Sequence, residues 1–110
     1  MHMSILIFTQ DHNGKVVELS RSDTLFIRLP ENPTTGYQWA VEEVKGPIIT
    51  LEKSNYAPTA GAEIGGGGER TLVFKATSPG TTNLRLKLWQ AWEGDSSIVD
   101  IYTITIHVHG

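Results

Sequence analysis

Apolar and polar side chains alternate with a period of two in five separate stretches of this chain, and that pattern constrains the fold more than any other feature. Leu25, Ile27 and Leu29 alternate with Phe26 and Arg28, up to Pro30 and the Asn32-Pro33 step. Tyr37, Trp39 and Val41 alternate with Gln38, Ala40 and Glu42. Leu72, Phe74 and Ala76 alternate with Val73 and Lys75, and Ser78-Pro79-Gly80 then turns the chain. Leu84, Leu86 and Leu88 alternate with Arg85, Lys87 and Trp89; Tyr102, Ile104, Ile106 and Val108 alternate with Thr103, Thr105 and His107. Such a period puts one set of side chains on each face of a strand, so each stretch buries one face and wets the other. Weaker strands fit 4–9, 15–19 and 48–56, and Asp11-His12-Asn13-Gly14 carries the Asn-Gly signature of a tight hairpin. Seven or eight short strands at this spacing predict an all-β sandwich or barrel, antiparallel in its connections. Leu25, Ile27, Trp39, Leu72, Phe74, Leu84, Leu86, Ile104 and Ile106 are its expected core.

Composition narrows the function. A chain of 110 residues is long enough to bury a core without staples, and it has no Cys. That removes disulfides, thiolate metal sites and a cysteine nucleophile at once. The net charge of −3, with no Lys/Arg cluster, argues against a nucleic-acid or anionic-membrane surface. No apolar run approaches the ~18 residues of a membrane span. Ile5-Leu6-Ile7-Phe8 is too short for a signal-peptide core and has no basic residues ahead of it, so a soluble chain is expected, with export left open. Met1-His2-Met3 reads as a cloning remnant, leaving 4–110 as one domain.

Three loops interrupt the strands, and each has a physical reading. In Asn32-Pro33-Thr34-Thr35-Gly36-Tyr37, Pro33 fixes its own φ and pushes Asn32 into extended backbone. Gly36 permits a positive φ before the next strand. Thr34 and Thr35 are stiff at χ1 and are expected to present free hydroxyls on a preorganised tip. An ordinary inter-strand turn explains Asn-Pro plus Gly. A rigid Pro-Thr-Thr-Gly tip additionally suits insertion into a cleft, because little entropy is left to lose. The second loop is the run Gly65, Gly66, Gly67 and Gly68. It lacks a following Lys-Ser/Thr, and Glu69 would repel a phosphate, so it reads as a flexible connection or as bare backbone for an extended peptide. The third is Trp89-Gln90-Ala91-Trp92-Glu93-Gly94, where Trp92 lies beyond the leucine alternation, as an exposed anchor would. If the three loops share one end of the sandwich, they form one composite surface.

Constellations for chemistry are weak. His107 and His109 share a strand face without a third ligand at a telling spacing, so no metal site and no cofactor are expected. Ser54, Ser78, Ser96 and Ser97 have no nucleophile-elbow context, and Glu42-Glu43 reads as a solvated strand end. The expected protein is not an enzyme.

Asn32-Pro33-Thr34-Thr35-Gly36-Tyr37-Gln38-Trp39 closely resembles the Asn-Pro-Thr-Thr-Gly-aromatic motif of the chagasin-like inhibitors of papain-type cysteine peptidases (thiol protease inhibitors). The Gly65–Gly68 run with Arg70-Thr71 is similar to that family's Gly-rich second loop, and Trp92 with Gly94 to its third. The resemblance covers nearly the whole chain. It implies an immunoglobulin-like sandwich, monomeric when free, whose loops plug a peptidase cleft reversibly and competitively. Thr34 would lie nearest the catalytic Cys–His pair, the Gly loop along the non-primed side and Trp92 on the primed side. The implied contact residues are Asn32, Pro33, Thr34, Thr35, Gly36, Tyr37, Gly65, Gly66, Gly67, Gly68, Gln90, Ala91 and Trp92. One departure stands out: Gln90-Ala91 replaces the family's usual Arg-Pro, so a cation and a ring constraint are lost.

Two other classes compete with this reading. An adhesin-like or carbohydrate-binding module would use Trp89 and Trp92 to stack on sugar rings, and a purely structural immunoglobulin-like module would use neither.

Overall fold

Inward-facing side chains of β3 (Thr24–Glu31) and β7 (Gly80–Trp89) meet across two four-stranded sheets. The structure is a computed structural model, and it describes residues 4–44, 46–59 and 67–110. Residues 1–3, read above as a cloning remnant, lie outside the described residues, as do Gly65 and Gly66. The first sheet has the order β1 (Ile5–Phe8), β3, β6 (Gly68–Ala76), β5 (Ile49–Pro58). The second has the order β2 (Val16–Ser20), β8 (Asp100–His109), β7, β4 (Gln38–Glu43).

The core forms as the alternation predicts. All nine expected residues are at most 2% exposed, and Leu29, Tyr102, Leu19 and Ile49 join them. Trp39, Tyr102 and Phe74 are its largest fully buried side chains. Burying each such side chain contributes about 1.5–3 kcal/mol, which is how a chain without Cys holds two sheets together. The strands and their sandwich packing are immunoglobulin-like.

Two pairings refine the picture. The long ladders β3–β6, β5–β6, β4–β7 and β7–β8 are antiparallel, whereas β1 pairs with β3 and β2 with β8 in parallel. The cause is that the chain crosses from the first sheet to the second after β1 and crosses back after β2. A parallel and an antiparallel edge strand show the same alternation, so periodicity alone does not separate them.

That crossing also overturns the Asn-Gly hairpin, because β1 and β2 belong to different sheets. Gln10–His12 forms a 3₁₀ turn, with the Phe8 and His12 rings stacked 4.7 Å apart. Gly14 does take a positive φ of 83°. Asn13, however, uses its side chain on β8: it donates to the Ile101 carbonyl (3.3 Å) and accepts from the Thr103 amide (2.9 Å). The dipeptide steers the chain onto β8 instead of folding it back on β1.

Candidate functional site

The first loop leaves β3 and enters β4 through a single 3₁₀ turn, Pro33–Thr35. Asn32 is extended (φ −123°, ψ 103°), as a residue before proline must be, and Pro33 occupies the first helical position, where its missing N–H costs nothing. Asn32 Oδ1 accepts from the Thr34 amide at 3.1 Å and from the Thr34 hydroxyl at 2.7 Å. The Thr35 hydroxyl donates to the Asn32 carbonyl (2.7 Å) and accepts from the Tyr37 amide (3.4 Å). The Thr35 and Gly36 amides close the turn on the Asn32 and Pro33 carbonyls at 3.2 and 3.0 Å. Gly36 ends it at φ 81°, a left-handed conformation that disfavours any side chain. The two threonine hydroxyls are therefore engaged, whereas the sequence reading expects them free. Both donate inside the loop, and they offer only acceptor lone pairs outward.

A buried ion pair anchors the base of this loop. Glu31, whose side chain is 1% exposed, accepts from the Trp39 amide (2.7 Å) and from Arg70 Nε and Nη2 at 2.8–3.2 Å. The Trp39 indole donates to the Pro30 carbonyl at 2.9 Å. Strand ends on either side of the loop are thus pinned together, and Arg70 ties both to β6.

The second loop springs from the β5–β6 ladder, whose last pair is Pro58 with Gly68. Gly68 also faces Glu31 on β3, so it sits between two strands at the loop's root. A side-chain carbon built there would collide with the Ala57 carbonyl oxygen and the Tyr56 hydroxyl, so no larger residue fits. Gly67 is exposed, and its carbonyl accepts from the Thr59 amide.

The third loop is held by its own hydrogen bonds. The Gln90 carbonyl accepts from the Glu93 and Gly94 amides at 2.9 and 3.2 Å. Ser97 Oγ accepts from the Gln90 amide (2.9 Å) and donates to the Gly94 carbonyl (2.7 Å). Lys87 Nζ reaches Asp95 Oδ1 at 3.2 Å. This bonding turns the loop with no proline in it. Trp92 is 69% exposed at its tip.

The first and third loops and the root of the second lie at the same end of the sandwich. Gln90 Nε2 donates to the Thr35 carbonyl at 3.2 Å. The Trp92 ring edge abuts Gly36 so closely that a side-chain carbon there would lie 2.6 Å from Cη2. An open groove of about 610 Å³ runs between the loop roots, walled by Tyr37 from the first, Thr59 and Gly67 from the second, and Val99 from the third. Trp89 is placed differently from Trp92: Lys87 Nζ sits 3.4 Å from its ring centroid and covers one face.

Sequence reasoning passed over Glu31, although the signal was present. It continues the inward parity of Leu25, Ile27 and Leu29, so its carboxylate had to be buried and had to find a partner. Ser97 gave no such signal, because only the folded loop brings it back to Gln90. The two strand histidines engage neighbours, His107 with Thr81 (2.7 Å) and His109 with Glu18 (2.6 Å), and no three potential metal ligands cluster among the described residues.

A two-sheet sandwich that gathers a rigid Pro-Thr-Thr-Gly turn, a glycine-rooted loop and an exposed tryptophan at one end defines a class of loop-presenting binding proteins. This chain belongs to the chagasin family: the family model described as Chagasin family peptidase inhibitor I42 matches residues 18–106. It is thus classed with peptidase inhibitors, not with enzymes. Chagasin of Trypanosoma cruzi is 27% identical over 100 residues, covering 87% of this chain and 91% of its own length. The crystal structure of the cysteine protease inhibitor EhICP2 from Entamoeba histolytica matches with a TM-score of 0.82 at 26% identity, covering 99% of both chains. PbICP-C, solved in complex with falcipain-2, shares the fold with a TM-score of 0.63 at 19% identity, over 96% of this chain and 99% of that one.

Proposed function

We propose that this protein is a reversible, competitive inhibitor of papain-like cysteine peptidases, acting through residues 4–110 as one inhibitor domain whose three loops occlude the active-site cleft. The convergence of the first and third loops on the root of the second, with the first already shaped before any partner arrives, carries this reading. In it, Asn32, Pro33, Thr34, Thr35, Gly36 and Tyr37 form the wedge, with Thr34 nearest the catalytic Cys–His pair. Gly67 and Gly68, with Gly65 and Gly66, lie along the non-primed side, and Trp92 packs on the primed side beside Gln90 and Ala91.

The turn also explains why such a wedge would not be cut. Nucleophilic attack requires a carbonyl aligned with the nucleophile and with the donors that stabilise the oxyanion. In this loop the Asn32, Pro33 and Thr35 carbonyls accept hydrogen bonds from Thr35, Gly36 and Gln90, and the backbone from Pro33 to Thr35 is helical instead of extended. Attack would first have to dismantle the turn. With no Cys in the chain, no mixed disulfide with the enzyme can form, so occlusion alone accounts for inhibition.

The test is titration against papain with a fluorogenic peptide substrate. Inhibition should weaken as substrate rises and reverse on dilution, while serine and aspartic peptidases stay fully active. Full papain activity at micromolar inhibitor would sink the reading.

A further inference from the structure

We propose that Gln90 is a positioning residue, a latch from the third loop that holds the first loop in its binding shape; this rests on the inhibitory reading above. The latch is built from both ends. Gln90's backbone is fixed on either side, its amide on Ser97 Oγ and its carbonyl under the Glu93 and Gly94 amides. Its side chain therefore starts from a rigid point and reaches the Thr35 carbonyl at 3.2 Å, across 55 positions of sequence. Thr35 is the last residue of the 3₁₀ turn, so this bond acts where the wedge passes into left-handed Gly36. The same Gln90 carbonyl organises the turn that carries Trp92, whose ring edge rests on Gly36. One residue thus sets the position of the tryptophan and restrains the wedge.

The chemistry required at position 90 follows. The group facing Thr35 is a carbonyl oxygen, so the side chain must donate. Glutamine does so as a neutral amide, and arginine, with five donors, could do the same. Glutamate has nearly the shape of glutamine but only accepts, and it would set a carboxylate against the carbonyl. The Gln90-Ala91 departure therefore keeps the donor while discarding the permanent charge.

A latch lowers the cost of binding by raising the fraction of molecules whose wedge is already competent, and apparent affinity scales with that fraction. A hydrogen bond of ordinary net strength changes such an equilibrium by about three- to tenfold. Gln90→Glu should weaken papain inhibition by at most that factor, with its urea midpoint close to the parent's. The deciding measurement uses free protein: amide hydrogen exchange of Thr35, Gly36 and Tyr37 by NMR. Exchange should speed up about three- to tenfold in Gln90→Glu and stay at the parent rate in Gln90→Arg. Unchanged exchange in Gln90→Glu would overturn the latch, even if inhibition falls, because Gln90 would then act by touching the enzyme. If the parent fails to inhibit papain, the inhibitory reading is lost, yet the exchange rates still decide whether the latch exists.

Discussion

Arg70 grips Glu31 through both carboxylate oxygens beneath the first loop, with the Glu31 side chain 1% and the Arg70 side chain 12% exposed. The Tyr56 ring lies 5.9 Å below the guanidinium carbon, and Ser54 Oγ accepts from Nη1 at 3.3 Å. This pair joins the roots of the first two loops, because Glu31 ends β3 and Arg70 lies two residues beyond Gly68.

Removing the cation should therefore be costly. Arg70→Ala strands a buried carboxylate, and breaking a buried pair in this way typically costs about 3–5 kcal/mol. Arg28 and Glu69, a half-exposed pair at 3.9 Å on the same sheet, provide the contrast: Arg28→Ala should stay within about 1 kcal/mol. Urea denaturation of both variants checks this, and equal losses would show that the buried pair has no special role.

Gly36→Ala should separate shape from stability. At φ 81° an alanine is strained by about 1–2 kcal/mol. Its methyl would also meet the Trp92 ring edge, which must swing away because the backbone cannot. Papain inhibition should therefore fall by more than the stability loss alone explains, and Trp fluorescence of the free protein should shift. Unaltered inhibition would remove the wedge and tryptophan contact from the proposed mechanism.

Much of this architecture is legible in the sequence, for a physical reason. A sheet face is buried or wet according to parity, so Leu84, Leu86, Ile104 and Ile106 declare their side without any knowledge of their partners. Pro33 and Gly36 likewise fix local backbone by covalent geometry alone. What stays hidden depends on contacts between distant segments: whether β1 pairs in parallel, that Asn13 spends its side chain on β8, and that the Thr34 and Thr35 hydroxyls fold inward. The Gln90–Thr35 bond belongs to this second kind, since nothing local to either residue signals it.

Tyr102 should make the fold sensitive to alkali. Burial raises its phenol above the ordinary value of about 10, and the hydroxyl donates to the Thr9 carbonyl at 2.8 Å. A folded-state value above the unfolded one means the neutral phenol favours the native state. That contribution is complete below about pH 10 and is lost as pH rises from there toward the folded value. Tyr102→Phe should cost about 1 kcal/mol at neutral pH through the lost hydrogen bond, and should flatten the decline above pH 10. Denaturation midpoints at pH 7 and pH 10.5 test both halves. An equal alkaline loss in the variant would assign the sensitivity to other groups.

Trp92 and its two predecessors provide the last test. Because the ring is 69% exposed, Trp92→Ala should leave stability within about 0.5 kcal/mol. A central tryptophan anchor at an interface is typically worth 2 kcal/mol or more, so affinity should drop by about thirtyfold. Restoring the family's wording is expected to act in the other direction. Gln90→Arg adds a permanent charge and a donor fork while keeping a donor toward Thr35. Ala91→Pro restricts the unbound loop, a change worth roughly 0.4–1 kcal/mol where the backbone tolerates it. Ala91 is exposed, and the turn is already closed by Ser97 and the Gln90 carbonyl, so the proline should add less than it would in a loose loop. The double variant should therefore bind more tightly or shift preference among papain-like enzymes, chiefly through the arginine. Inhibition constants of both variants against several such enzymes decide the matter. If Trp92→Ala stays within twofold of the parent on all of them, the third loop lies outside the interface and only the first two loops bind.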